Sequence, residues 1–571
     1  MKKILFLFIT LQFSIQAFSQ NTAPRVKKFE KDVQKVIQQV YRTSVYITSY
    51  DSVTKLAGGE RFTGVVVDSA GHILSVAHAV RPSSMYTILY PDGKKEPNLY
   101  EVTFPDGRKF RAVGLGKIAS IDVAMLKITD KGSWPYAEMG WSSSLQKDMP
   151  CISIAYPGVL PIKKPTVRLG YIAETKSRGS YMRSTCLMEP GDSGGPLFDM
   201  NGRVIGIHSR VDLSLDDNYE VPIDLYRKYW TALNSPVDYD VLPAAESFAA
   251  DPQSPLLKPM PEIKNISAGL QKVEAELDKT VMAIKSTAKD SEMLILGTLV
   301  DLKGIVADEK LKDKSFLISK SSMVGNDPII ETEAGKNTKA KVISRDEAND
   351  LVLLQLDKVI KGGLKLKSIR TDSVSFAELG KFLISPQPNS GNIISVLGNT
   401  QFGVVGEPDT PFTGIGTRLE DGKLMITKIS PYSPASAANL DEGDELLSFN
   451  GTPMQKPEDL VKELAGFKVR DTVSIGYKRG RRPFKTQIVL ASKKPLTPDH
   501  VAFRFTDGRS ERADGFDQVL VHDGRLKPAE CGGPLYDAAG QFYGINIARF
   551  SRTSSLAIPA VLISKFVKSS L

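Results

Sequence analysis

Three residues of the sequence are of the types that together activate a hydroxyl. His78 lies in Ile73-Leu-Ser-Val-Ala-His-Ala-Val80, Asp122 in Ile121-Asp-Val-Ala-Met-Leu-Lys-Ile128, and Ser193 in Glu189-Pro-Gly-Asp-Ser-Gly-Gly-Pro-Leu197. A serine hydroxyl is a poor nucleophile until a base takes its proton, and the base needs an acid to fix its tautomer. The Ser193 segment reads as a tight glycine-rich turn whose backbone N–H groups can face a developing oxyanion. Gly191 and Ser193 are placed to supply those donors, while Gly194 and Gly195 let the chain pack closely behind. His78 falls at the end of an apolar run and Asp122 at the start of one. A lone His or Asp in such places is ordinarily structural, so the weight rests on the three blocks occurring together.

The order His, Asp, Ser is that of the chymotrypsin arrangement and not of subtilisin or the α/β-hydrolases. The blocks TGVVVDSAGHILSVAHAV, DVAMLKI and GDSGGPLFDMNGRVIGI resemble the catalytic blocks of trypsin-like serine proteases, closest in wording to the bacterial HtrA (Deg) group. The resemblance covers roughly residues 40–230. It implies a double β-barrel with the active site in the cleft between barrels, and peptide-bond cleavage by His78, Asp122 and Ser193. It also implies a primary specificity pocket floored by Leu187, six residues before the nucleophile. Ser209, Arg210 and Val211 would form the strand that pairs with substrate backbone. A leucine floor offers no carboxylate to a Lys or Arg side chain, so small or medium apolar residues are expected there. The chain lacks the processed N-terminus that pairs with the equivalent of Asp192 in digestive relatives. Asp192 therefore needs an Arg or Lys partner, or serves regulation; the sequence leaves both open.

The elements that must position these residues are legible from period. Between Ile47 and Ile207, apolar runs of four to eight residues alternate with Gly, Pro and Asp, as in an all-β barrel or sandwich. A helix precedes them, with Val33, Val36, Ile37 and Val40 on one face. Residues 235–262 are rich in Pro, Ala and Ser without a period and read as a linker. His72, in Ser69-Ala-Gly-His72, reads as an exposed turn residue. With His208, His500 and His522 it shows no ligand spacing, so no metal or other cofactor is expected. Cys151, Cys186 and Cys531 are an odd three, which excludes a disulfide-built scaffold. Cys151 and Cys186 read as buried thiols, with a bridge between them possible.

The second half repeats the first. Leu317-Ile-Ser-Lys-Ser-Ser-Met-Val324 parallels Ile73 to Val80 and puts Ser322 where His78 stood; Asp350 answers to Asp122 and Cys531 to Ser193. The leading helix recurs as Leu270 to Ile284. Losing one member of such a unit costs roughly 10⁴- to 10⁶-fold in rate, so this copy reads as a degenerate, structural or regulatory domain. His522 is the one histidine nearby that could be recruited as a base. Inside the repeat, Phe412-Thr-Gly-Ile-Gly416, the run from Ser433 to Gly451, a helix at 458–464 and a strand at 472–477 resemble a PDZ domain. That resemblance implies a ligand strand added to a sheet edge, with Phe412, Thr413, Gly414, Ile415 and Gly416 holding a carboxylate. Such domains follow the protease in the HtrA group, whereas here one is nested in the repeat, so the resemblance leaves trimer formation and PDZ-driven activation open.

Met1-Lys-Lys3, the apolar Ile4–Ile15 and the small residues of Gln16-Ala-Phe-Ser19 form a secretory signal cleaved after Ser19, too short for a membrane span. The net charge of +9 is dispersed among many acids, with no basic stripe interleaved with aromatics, so nucleic acid is not an expected partner. The expected layout is a signal at 1–19, a protease domain with its leading helix at 20–234, a linker at 235–262, a degenerate protease-like domain at 263–405 and 499–571, and a PDZ domain at 406–498. The fold class is mainly β: two double barrels plus an inserted PDZ domain. Expected partners are polypeptide substrates, and C-terminal or internal peptide segments at the PDZ domain; the oligomeric state is not fixed. Two functions fit: an exported periplasmic or secreted endopeptidase, or a non-catalytic peptide-binding scaffold of the envelope.

Overall fold

Apolar runs, most of them buried along nearly their whole length and broken by Gly and Asp, form antiparallel ladders that close on themselves and so leave few free edges. The computed structural model describes residues 24–571 except 51–54, 56, 81–97, 161–163, 289–290, 303–310, 312–313, 334–335, 367–368, 371, 389, 405–410, 431–432, 469–470 and 493–499. The expected signal lies outside the described residues. A first helix, α1, covers residues 24–40. The strands that follow are β1 (Ser44–Tyr50), β2 (Ala57–Val66), β3 (His72–Ser75), β4 (Leu99–Thr103), β5 (Lys109–Ile118) and β6 (Val123–Ile128). They pair in the order β5-β4-β1-β2-β3-β6, and β5 also pairs with β6, which rolls the sheet into a barrel. A second closed barrel follows, from β7 (Pro150–Ala155), β8 (Thr166–Glu174), β9 (Met182–Ser184), β10 (Pro196–Phe198), β11 (Val204–Val211) and β12 (Asn218–Pro222).

The same pair of sheets recurs in the C-terminal half. Strands from Val281–Ala288 to Leu364–Lys365 form one rolled sheet, and strands Phe382–Ser385, Ile393–Val404 and those from Phe516–His522 to Ser555–Pro559 close a barrel. The two double barrels share one continuous apolar core. Helix α1 is part of that union. Its buried face, Val33, Val36, Ile37 and Val40, is joined by Phe29, whose ring meets Phe382 edge-on at 5.7 Å. The Glu30 carboxylate accepts the Phe382 N–H at 2.7 Å. Gly380 lets the helix seat: a Cβ there would stand 2.2 Å from Ile37 Cδ1.

Three expectations change. The helix expected over Leu270–Ile284 is helical only over Gln271–Leu277; a single 3-10 turn, Asp278–Thr280, then turns the chain into the strand Val281–Ala288. Tertiary pairing overrides the helical period there, because that strand is laddered along its whole length with Ser291–Asp301. Helix α1 ends in the same way. Thr43 and Thr280 donate their hydroxyls to the carbonyls of Val40 and Leu277, three residues back. Residues 235–262, expected as a linker, are tied down. Asp238–Tyr239 (β13) adds in parallel to β5, Trp141 donates to the Ala249 carbonyl at 2.8 Å, and buried Arg203 grips Asp251 at 2.9 Å. Polar anchors carry that contact, and they leave no periodic signal. His72 is not an exposed turn residue. It opens β3, with Nδ1 2.5 Å from Asp68 Oδ2 and its ring edge-on to Trp230.

Residues 405–500 form a separate unit. Its sheet runs Ile415–Glu420, Lys423–Ile429, Glu445–Phe449, Thr472–Arg479, Arg482–Val489, with the helix Pro457–Leu464 beside it. Leu424, Ile426, Phe449, Val473 and Ile475 are the centre of its own core. No helix among the described residues is long and apolar enough to cross a membrane.

Candidate active site

Asp122 follows the 3-10 turn Ala119–Ile121 and takes a left-handed backbone, φ 54°, which Asp tolerates better than most residues. The turn puts its carboxylate under β3's exit. There it accepts the His78 backbone N–H at 3.0 Å, faces His78 Nδ1 at 3.0 and 3.1 Å, and receives the Ser209 hydroxyl at 2.5 Å. Burial works to raise this carboxyl, but the hydrogen bonds and charge of His78 and the Ser209 hydroxyl hold it below the ordinary range. The far nitrogen of the ring, Nε2, stands 3.1 Å from Ser193 Oγ. His78 is half exposed while Asp122 is buried, so the line runs from the core to an open hydroxyl.

Ser193 is fixed from the first barrel, whose Thr63 N–H donates to the Ser193 carbonyl at 2.9 Å. Behind it Gly194, at φ 85°, passes so close that a Cβ would meet the Thr63 carbonyl oxygen at 2.0 Å. Ahead of it, the Pro190 carbonyl accepts the Gly158 N–H at 2.8 Å. C=O and N–H of a trans peptide point opposite ways, so this bond aims the Gly191 N–H away from Gly158. Gly191 sits at φ 100°. Among the described residues neither its N–H nor that of Ser193 finds an acceptor.

Asp192 has a partner that the sequence reading left open. Arg168 on β8 makes a two-armed, fully buried pair with it, Nη1 to Oδ2 at 2.8 Å and Nη2 to Oδ1 at 3.0 Å. Arg168 also donates to the Leu187 carbonyl at 3.0 Å. The signal was present: Arg168 shares a strand face with Thr166, Gly170 and Ile172, and a charge at an inward position needs a buried partner. Of the expected pocket residues, Leu187 is buried and lines a cavity of about 540 Å³ that Ser395, Asp523 and Arg525 of the C-terminal half also line. Ser209 sits at a register shift in β11, and its hydroxyl is on Asp122. Arg210 lies over the Tyr181 ring at 4.3 Å, and Val211 pairs with Asn218.

The C-terminal copy brings Ser322, Asp350 and Cys531 to the corresponding elements, with different chemistry. Asp350 repeats the left-handed backbone at φ 57°. Its carboxylate receives the Ser322 hydroxyl at 2.9 Å and the buried Lys320 ammonium at 2.7 Å. Lys320 also donates to the carbonyls of Arg512 and Ile547, so all three of its protons are used. Cys531 is fully buried, and burial pushes its thiol up from the ordinary range. The turn before it differs as well. Ala529 stands where Gly191 stands, and residues Pro528–Glu530 coil into a 3-10 turn whose Pro528 carbonyl takes the Cys531 N–H at 3.3 Å. A Cβ disfavours φ near 100°, so the alanine closes what glycine leaves open. His522 does not face Cys531: its Nε2 is on Asn546 and its Nδ1 on Ser395. Cys151 and Cys186 are free thiols 3.9 Å apart. No group of three His, Cys, Asp or Glu that could hold a metal occurs among the described residues.

In the separate unit, Ile415–Glu420 is an edge strand whose outer side has no strand partner among the described residues. Phe412 pairs with Ala491, Thr413 is buried with its hydroxyl taking the Ile415 N–H, and Gly414 turns at φ 85° against Ser433. Ile415 and Gly416 begin the edge strand, opposite Ile429 and Lys428.

The double-barrel fold of the N-terminal half is that of a trypsin-like peptidase domain, carried in one chain with a PDZ domain. Residues 62–207 match the family model of the trypsin-like peptidase domain and residues 411–490 that of the PDZ domain, a peptide-binding module. The chain is similar to a putative protease Do-like 14 of Arabidopsis thaliana, 30% identical over 29% of this chain and 39% of the relative. It is likewise similar to a putative serine protease HhoA of Synechocystis, 30% identical over 28% of this chain and 40% of the relative. A probable periplasmic serine endoprotease DegP-like of Bartonella henselae is 20% identical over 75% of this chain and 72% of the relative. The chain thus spans about two fifths of the length of the first two.

Proposed function

We propose that the chain is an exported serine endopeptidase acting on unfolded or exported polypeptides in the periplasm or outside the cell. The observation that carries this reading is the continuous line Asp122–His78–Ser193, with bonds of 3.0 and 3.1 Å, ending beside two unused N–H groups. In the reaction His78 Nε2 takes the proton of Ser193 Oγ as the oxygen attacks a peptide carbonyl. Asp122 fixes the tautomer and offsets the positive charge on the ring. The Gly191 and Ser193 N–H groups receive the oxyanion, and the imidazolium then gives its proton to the leaving amine. Water repeats the sequence to release the acyl group.

The C-terminal double barrel is a non-catalytic copy. It lacks a base, its thiol is buried, and the turn that would receive an oxyanion is filled by its own carbonyl. The PDZ domain takes peptide segments, C-terminal or internal, along the edge strand Ile415–Glu420.

The test is cleavage of casein and labelling by a serine-directed fluorophosphonate, using the mature chain with Ser193→Ala and Cys531→Ala beside it. Wild type and Cys531→Ala are expected to cut and label alike, and Ser193→Ala to do neither. Wild type that neither cuts nor labels, with or without C-terminal peptides present, sinks the reading.

A further inference from the structure

The C-terminal copy reaches into the N-terminal one at the walls of its candidate active site. Its turn after strand Phe542–Arg549 carries Arg552, which is 1% exposed. The guanidinium of Arg552 does not meet a carboxylate. Nη2 donates to the Ser214 carbonyl at 2.5 Å and lies 3.4 Å from the Asp217 carbonyl and 3.5 Å from Asn218 Oδ1; Nη1 lies 3.5 Å from the Leu213 carbonyl. One planar fork thus reaches both ends of the loop between β11 and β12, at Leu213–Ser214 and at Asp217–Asn218, and that loop continues the strand holding Ser209, Arg210 and Val211.

The next residue grips the opposite wall. The Thr553 N–H donates to buried Glu189 Oε2 at 3.3 Å, and the Glu189 N–H donates to Asp192 Oδ2 at 2.9 Å. The two walls are joined to each other as well, since the Met188 N–H donates to the same Asn218 Oδ1. Two outer ties support the grip. Arg525 pairs with Asp216 at 2.7 Å, and Asp523 accepts the Leu169 N–H, next to the Arg168 that holds Asp192.

The loop has bonds of its own, from the Asp212 N–H to the Asp217 carbonyl at 3.2 Å and from the Asp217 N–H to the Ser214 carbonyl at 3.1 Å, and the Arg552 fork adds a buried anchor to the same carbonyls from outside. The hydroxyl, base and N–H groups of Ser-His-Asp chemistry must be held to within a fraction of an ångström.

We propose that Arg552 and Thr553 make the C-terminal double barrel a built-in clamp on the substrate-facing loops 187–193 and 212–218, with Arg552 as a positioning residue for the site at Ser193. This rests on the peptidase reading for its effect on rate, but the clamp itself is a statement about loop order. The degenerate copy then has a task that needs no chemistry of its own: it adds buried anchors to loops whose own bonds lie within the N-terminal half.

The experiment uses the full mature chain and compares wild type, Arg552→Ala and Arg552→Lys. Hydrogen exchange is followed in peptides covering 187–193 and 212–218, and the second-order rate of fluorophosphonate labelling at Ser193 is read on the same samples. Arg552→Ala is expected to speed exchange in those two segments about tenfold or more while β7 and β10 keep wild-type protection. Its labelling rate is expected to fall on the order of 10- to 100-fold, as for a catalytic group moved by about 1 Å. Arg552→Lys keeps the charge but not the fork and is expected to fall between the two. If Arg552→Ala does not fold, the lysine variant alone decides, with the same two readouts. Exchange in both segments unchanged from wild type overturns the clamp. A wild type that fails to label retires the peptidase reading, and the exchange data still decide the clamp.

Discussion

At the scale of single residues, the two copies form a natural comparison. Both place an Asp in the left-handed region at the same point, yet one Asp orients an imidazole and the other neutralises a lysine. The difference at Gly191 and Ala529 is as telling as the loss of the histidine. Gly191→Ala would force a Cβ to 2.4 Å from the Gly158 nitrogen at φ 100°. The turn should then coil as Pro528–Glu530 does and bury the Ser193 N–H. We expect the labelling rate to fall about 10²- to 10³-fold, the cost of losing an oxyanion donor, with little change in thermal midpoint. A Gly191→Ala variant that labels at the wild-type rate would mean that the turn keeps its shape or that the Ser193 N–H is not used.

At the scale of elements, β8 carries Arg168, on which the Ser193 turn rests through Asp192. Arg168 and Asp192 are both buried, so removing Arg168 leaves Asp192 without a counter-charge. Arg168→Ala is expected to cost about 3–5 kcal/mol in urea unfolding and to abolish labelling. A loss below about 1 kcal/mol would show that water reaches Asp192 when the arginine is gone. Beside this pair lies a polar core that the two halves share in altered form. His208 bonds Ser153 in the first barrel pair; in the second, Asn546 bonds Ser385 and the histidine has moved to His522. In both halves a buried serine hydroxyl thus keeps a side-chain partner, as burial of a polar group requires.

At the scale of the whole molecule, buried ionisable groups set the pH range of stability. Burial lowers His208 to about 3 and His522 to about 4. These groups favour the fold increasingly as pH rises toward 6.5, where the unfolded chain also becomes neutral. Burial, and for Glu189 the neighbouring Asp192, raises Glu189 to about 7 and Glu220 to about 8. The folded chain holds those protons after the unfolded chain has lost them, so stability falls as pH climbs from the ordinary carboxyl range through 8. Above pH 6.5 these two acids still act, and stability should drop between pH 6.5 and 8.5, on the order of 2–3 kcal/mol. Glu220→Gln should flatten that decline; a decline unchanged in the variant assigns it elsewhere. The separate unit is expected to fold alone. Residues 405–500 expressed by themselves should unfold cooperatively, because their core is their own. A melt without a transition would refute this.

The sequence by itself determined the mainly β character, the two peptidase-like copies and the PDZ unit. Periodicity, glycine turns and three blocks of residues are local properties, and local properties survive in one dimension. It also carried Ser193, His78 and Asp122, whose blocks the fold brings within hydrogen-bond distance. Contacts between distant segments were decided only by the tertiary structure. Arg168 as the partner of Asp192, Ser209 on Asp122, the strap at 235–262 and the entry of Arg552 into the β11–β12 loop each join groups far apart in the chain. Polar anchors of this kind have no period, and one arginine in a strand looks like another until its partner is packed against it. The helix expected over Leu270–Ile284 failed for the same reason: a strand partner at Ser291–Asp301 outweighed the local pattern.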